Sequence, residues 1–154
     1  MQDVEGRTPG RPTIAEVSLQ ALRENCRQAA ALVPLGVAVL AVVKADGYGH
    51  GAVAAARAFL DGGAAGLGVS MAAEGRELRR AGIDAPIVVL GGAFPGEEAA
   101  VVADDLAAAV WTLDGGRALA AAARAAGHTA AVHLKVNTGM TRLCLLYTSP
   151  SPRD

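Results

Sequence analysis

The stretch Ala41-Val42-Val43-Lys44-Ala45-Asp46-Gly47-Tyr48-Gly49-His50-Gly51 decides how this chain folds. The run Val37 to Val43 is apolar without a break, is bounded by Gly36 and Lys44, and has the length of one strand. A strand apolar on both faces belongs in a buried parallel sheet. Strand alternation places Lys44 on the same face as Val42 and Leu40. A lysine at a strand end ordinarily carries its charge into water over an apolar stem. Here it opens a segment holding three glycines, a tyrosine and a histidine. That order of strand, amine and glycine-rich loop is also a way to hold a reactive lysine at the mouth of a parallel β/α structure.

Outward from that stretch the same alternation repeats. Ser18 is a candidate N-cap, and Leu19, Leu22, Cys26, Ala29 and Val33 share one helical face before Pro34 and Gly36. After Lys44, a helix is expected over Ala52 to Leu60, then a short strand over Leu67 to Val69. Ser70 is placed to cap a helix running to about Arg80 and closed by Gly82. A strand is expected at Ile87 to Leu90, then a short helix after Pro95, through Glu97 to about Ala103. Leu106 to Val110 is a weaker strand, because alanine is a poor strand former. A helix over Leu113 to Ala126 ends at Gly127, and Ala131 to Val136 is the fifth strand. Strands alternating with helices imply parallel βαβ units. Periodicity alone leaves two architectures open, a doubly wound sheet and part of a (β/α)8 barrel.

Composition narrows the function classes. The 154 residues are 52% hydrophobic, enough for one core, and only 3% aromatic. A formal net charge of -1 gives no basic face for nucleic acid or an anionic membrane surface. No apolar run approaches the roughly 18 residues of a membrane span. Met1 to Pro12 is polar, lacks an apolar signal core, and reads as a flexible leader. Cys26 and Cys144 form neither a disulfide framework nor a metal pattern, so a soluble, cytoplasmic setting is expected. No metal site is expected either. Asp104-Asp105 reads as a solvated turn, and His128 and His133 lack ligand spacing. Cys26 reads as a small core residue.

The Lys44–Gly51 string closely resembles the pyridoxal-phosphate lysine motif of alanine racemases. A second stretch, Val132-His133-Leu134-Lys135-Val136-Asn137-Thr138-Gly139-Met140-Thr141-Arg142-Leu143, resembles that family's fifth strand and the loop after it. Asn137 and Thr141 stand where the family commonly has aspartate and glycine. Between them, Glu74 to Ile83 and Pro86 to Gly92 are also similar to the family, in mostly structural roles. The resemblance runs from about Arg11 to Leu143 and implies the N-terminal half of a (β/α)8 barrel over residues 13–143. It implies pyridoxal 5'-phosphate as cofactor, carried covalently by Lys44, which also serves as a catalytic base. Tyr48 would hydrogen-bond the cofactor phosphate, and His50 would order the loop. Arg142 would bind the substrate carboxylate, and Lys135 would be carbamylated and so attract that guanidinium. No metal is implied.

The implied activity is interconversion of L- and D-alanine for peptidoglycan precursors, by a homodimer whose opposing tyrosine base lies in a C-terminal domain. Residues 144–154 break from the pattern and read as a non-native or disordered tail. The chain is therefore expected to be an inactive, poorly folding part of a larger enzyme. Two other readings compete: another pyridoxal-phosphate barrel protein (a broad amino-acid racemase or a cofactor carrier), and a non-enzymatic α/β module in which Lys44 is a surface residue.

Overall fold

The computed structural model describes residues 14–145. The leader expected over residues 1–12, and residues 146–154 of the expected tail, lie outside them.

The elements alternate from the start: α1 (Leu19–Leu32), β1 (Leu40–Val42), the single turn α2 (Lys44–Gly49), α3 (Ala52–Asp61), β2 (Gly66–Val69), α4 (Ala72–Arg80), β3 (Ile87–Val89), α5 (Glu98–Ala103), β4 (Ala107–Val110), α6 (Leu113–Ala126) and β5 (Val132–Leu134). Ser18 caps α1 as expected, its Oγ accepting from the Ala21 N–H at 3.2 Å. Thr112 does the same for α6 at Gly115 (3.1 Å), and Gly127 closes that helix in the left-handed conformation, φ 69°.

The five strands are all parallel and ordered β1-β2-β3-β4-β5. This order settles the architecture. A doubly wound sheet reverses its strand order at a switch point; here every strand lies beside its sequence neighbour. The sheet is five consecutive staves of a (β/α)8 barrel wall.

Register then sorts the side chains. Ala41 and Val43, Leu67 and Val69, Ile87 and Val89, and Ala108 point to the helices and form one buried core with Leu78, Val101 and Leu119. Fully burying one such leucine or isoleucine stabilises the fold by about 1.5–3 kcal/mol. The other face, which lines the barrel, is built small. Gly68 pairs with Val42 and Val88, and Val88 pairs with Ala107. A Cβ on Gly68 would come within 3.2 Å of Leu90 Cδ1 and 3.3 Å of Val42 Cγ2, so glycine makes room for its larger neighbours.

Several boundaries differ from expectation. β1 is shorter than Val37 to Val43, and Val37 is exposed, because the chain still turns there, the Val37 N–H donating to Pro34 O at 3.0 Å. Ser70 is not the cap of α4; Met71 occupies that position, and Ser70 lies one residue earlier. On α1, Leu19 and Ala29 are exposed, and the inward stripe is Leu22, Cys26 and Ala30. The strand expected over Ala131 to Val136 is only Val132–Leu134, both of these ends exposed. Cys26 is buried as expected, its Sγ donating to Phe59 O at 3.3 Å.

Asp104 is not simply solvated. Arg76 Nε reaches its Oδ2 at 2.8 Å. Beside it, Arg79 donates to four carbonyls: Ile83 O (2.6 Å), Ala85 O (2.7 Å), Asp104 O (3.0 Å) and Asp105 O (2.9 Å). Arg79 thereby ties the end of α4 to the entries of β3 and β4, the stability face of a barrel.

Candidate active site

Lys44 follows β1 after one residue, Val43, at the carboxyl end of the sheet. The segment after Lys44 is not an open loop. Ala45, Asp46, Gly47 and Tyr48 all have φ between 51° and 61° and ψ between 35° and 55°, so α2 is one turn of left-handed helix. Left-handed helix costs about 1–2 kcal/mol for each non-glycine residue, and three of these four are not glycine. Strain of that size persists only where surrounding contacts over-determine it.

Those contacts are present. The Gly47 N–H donates to Val43 O (2.9 Å) and the Gly51 N–H to Asp46 O (2.9 Å). Asp46 Oδ1 accepts the Ala52 N–H at 2.7 Å and so caps α3 from outside that helix. Glu74, from α4, accepts the Ala45 N–H at 2.7 Å. His50 Nδ1 lies 2.9 Å from Gly47 O, the loop-ordering contact expected of it. Gly47 is buried, and a Cβ there would lie 3.3 Å from Ala55 Cβ, so the turn sits tightly against α3.

The wound turn brings Tyr48 back over Lys44. The Lys44 Nζ is 5.9 Å from the centre of the Tyr48 ring, within cation–π range. Lys44 is half-buried, while Tyr48 is exposed.

Lys135 and Arg142 stand at the other side of the sheet. Ala109 pairs with His133, which puts His133 and Lys135 on the barrel-lining face. The Lys135 N–H donates to Val110 O at 2.8 Å. The loop after β5 is organised by Asn137, whose Oδ1 accepts from Gly139 N (3.1 Å) and Thr141 N (3.0 Å). Thr141 has φ 54°, a left-handed position, and Arg142 is exposed. Leu145, from the segment set apart in the sequence, forms a parallel bridge to Val136, its N–H donating to Lys135 O at 2.9 Å. Four strand spacings separate β1 from β5, about 19 Å along the sheet. Among the described residues, no hydrogen bond or ion pair joins Lys44 or Tyr48 to Lys135 or Arg142.

A mostly apolar cleft of about 540 Å³ lies at the carboxyl ends of β3 and β4, lined by Ser70, Phe94, Trp111 and Leu143 among others. Neither Lys44 nor Tyr48 lines it. No group of three metal-ligating side chains occurs among the described residues, and no helix there is long and apolar enough to cross a membrane. Sequence reasoning missed the roles of Asp46 and Glu74 in the lysine turn. The Asp46 bond spans six residues to the start of the next helix and the Glu74 bond spans 29, so neither matches a local capping pattern.

Residues 17–147 match the family model for the alanine racemase N-terminal domain. The chain belongs to that family. It is 47% identical over 133 residues to an alanine racemase of Geobacter sulfurreducens, covering 86% of this chain and 35% of that protein. It is 49% identical over 135 residues to one from Symbiobacterium thermophilum, covering 88% of this chain and 36% of that protein. The crystal structure of alanine racemase from E. faecalis superposes with a TM-score of 0.79 at 38% identity, over 84% of this chain and 35% of that one. The chain thus spans about a third of the length of the relatives it matches.

Proposed function

We propose that this chain is the lysine-bearing part of a pyridoxal-phosphate-dependent alanine racemase. The observation that carries the reading is the strained left-handed turn that presents Lys44 at the carboxyl end of β1, beneath Tyr48. Family membership supplies the chemistry, and the turn supplies a physical reason for these residues. The arrangement fits the cofactor: an amine at the carboxyl end of the sheet, a phenol above it, and small residues along the wall. Pyridoxal phosphate, when bound, supplies the electron sink that acidifies the α-proton of the amino acid.

The protein's own part is positioning and proton transfer. Lys44 would hold the cofactor, and its amine would hold or return the proton on one face of the substrate α-carbon. The Tyr48 hydroxyl would donate to the cofactor phosphate. Arg142 pairs with the substrate carboxylate through its planar guanidinium, and carbamylation of Lys135 would give that arginine an anionic partner. The base for the opposite face comes from outside the described residues, in a homodimer. The setting is cytoplasmic, with D-alanine directed to peptidoglycan precursors.

The test is a chimera in which residues 17–143 replace the matching segment of the Geobacter sulfurreducens alanine racemase. Racemisation of D- and L-alanine is expected. A folded chimera that binds pyridoxal phosphate but does not racemise alanine would overturn the substrate assignment, and one that takes up no cofactor would overturn the reading as a whole.

A further inference from the structure

We propose that Glu74 is a positioning residue for Lys44, and that its carboxylate sets the direction in which the amine points. The inference rests on the reading of Lys44 as the reactive amine. One carboxylate collects three backbone donors: Oε1 takes the Ala45 N–H at 2.7 Å, while Oε2 takes Ser70 N–H at 2.6 Å and Met71 N–H at 3.1 Å. The contacts to Ser70 and Met71 are local and ordinary, since an acidic side chain in the first turn of α4 satisfies free N–H groups. The contact to Ala45 crosses 29 residues of sequence to a different strand end.

That contact falls at a particular peptide. The Ala45 N–H belongs to the bond joining Lys44 to the first residue of the left-handed turn. Fixing it fixes the rotation between them, and with it the direction of the Lys44 side chain. Nothing in the sequence of the turn favours this winding at Ala45, an alanine with φ 51°. An external acceptor is needed, and Glu74 is the side chain that supplies it. The same carboxylate joins the segment after β2 to the segment after β1, so the two loops hold a common geometry.

The chemistry of substitution separates positioning from capping. Aspartate keeps the charge in the first turn of α4 but is one methylene too short to reach Ala45 as well. Glutamine keeps the shape but turns an NH2 group toward one of the two sets of donors. Arg76→Ala is the control, because it removes the Arg76–Asp104 pair from the same helix without touching the turn.

The experiment uses the chimera described above with three readouts: melting temperature, hydrogen exchange at the Ala45 amide, and the rate at which pyridoxal phosphate labels Lys44 under borohydride, mapped by mass spectrometry. Glu74→Asp should speed Ala45 exchange and slow Lys44 labelling, each by about tenfold, with little change in melting. Glu74→Gln should do the same with a larger loss of melting temperature. Arg76→Ala should lower melting and leave exchange and labelling alone. Unchanged exchange and labelling in Glu74→Asp would overturn the inference. So would labelling losses that merely track melting across all three variants. Absence of label on Lys44 in the unsubstituted chimera would instead refute the reactive-amine reading, with Ala45 exchange still deciding whether Glu74 holds the turn.

Discussion

The two strand ends that carry the candidate chemistry are built differently. At the end of β1, a strained turn is held by Glu74 from α4, by Asp46 capping α3, and by close packing of Gly47 on Ala55. At the end of β5, the loop is held mainly by its own Asn137 and by a single bridge to Leu145, and Arg142 is exposed. β1 has α1, α3 and α4 nearby, whereas the outward face of β5 leaves Val132 and Leu134 half or more exposed. Covalent attachment requires an amine in one place. Recognition of a carboxylate by a long guanidinium tolerates more freedom until the ligand arrives.

That contrast is open to attack at several points. In the chimera, Lys44→Ala should reduce alanine racemisation by at least about a thousandfold, as loss of a proton-transferring group does. Lys135→Ala should cost far less, and steady-state kinetics on both separates the two ends. Arg142→Ala should lower kcat/KM by about ten- to a hundredfold, the equivalent of one charge-assisted contact at roughly 1.5–3 kcal/mol. An unchanged kcat/KM would remove Arg142 from the site. In the 154-residue chain, the exposed Val132, Leu134 and Val136 predict self-association through β5. Leu134→Lys should shift the chain toward monomer in light scattering, and an unsubstituted chain that is already monomeric would contradict the point.

Smaller effects address the strain itself. Ala45→Gly and Thr141→Gly each relieve a left-handed residue and should stabilise by about 1 kcal/mol in urea unfolding. If Glu74 holds the β1 turn, Ala45→Gly should leave the Lys44 labelling rate nearly unchanged. The smallest effect lies away from both ends. Hydrogen bonds from Arg27, and secondarily from Gln28, lower the Glu24 carboxyl from 4.5 to about 2. Because the folded value is depressed, this stabilisation is present above pH 4.5 and is lost as pH falls toward 2. Glu24 is exposed and solvent-screened, so Glu24→Gln should only slightly flatten the acid limb of the melting curve.

The sequence makes the barrel wall legible for a plain reason. Helix ends are marked by local chemistry, as at Ser18, Thr112 and Gly127, and buried strands by unbroken apolar runs. α6 runs over Leu113–Ala126, the span its pattern implies. Strand limits are less legible, because pairing partners decide them. Val37 to Val39 have the composition of a strand but lie outside β1. Among the site residues, Lys44 and Tyr48 are visible as a motif, but the left-handed winding that stacks them is not. Ala45 and Tyr48 carry no local preference for it, and the compensating bond comes from Glu74, 29 residues from Ala45 in sequence. Arg79 is invisible for the same reason, since its four carbonyl partners are gathered only by the fold.

The most direct measurement of the central claim is where pyridoxal phosphate attaches. The chimera, loaded with cofactor, reduced with borohydride and digested, should yield one pyridoxyl-labelled peptide, with the modification on Lys44. Label on Lys135, or label spread evenly over both lysines, would contradict the assignment of the braced turn as the reactive centre.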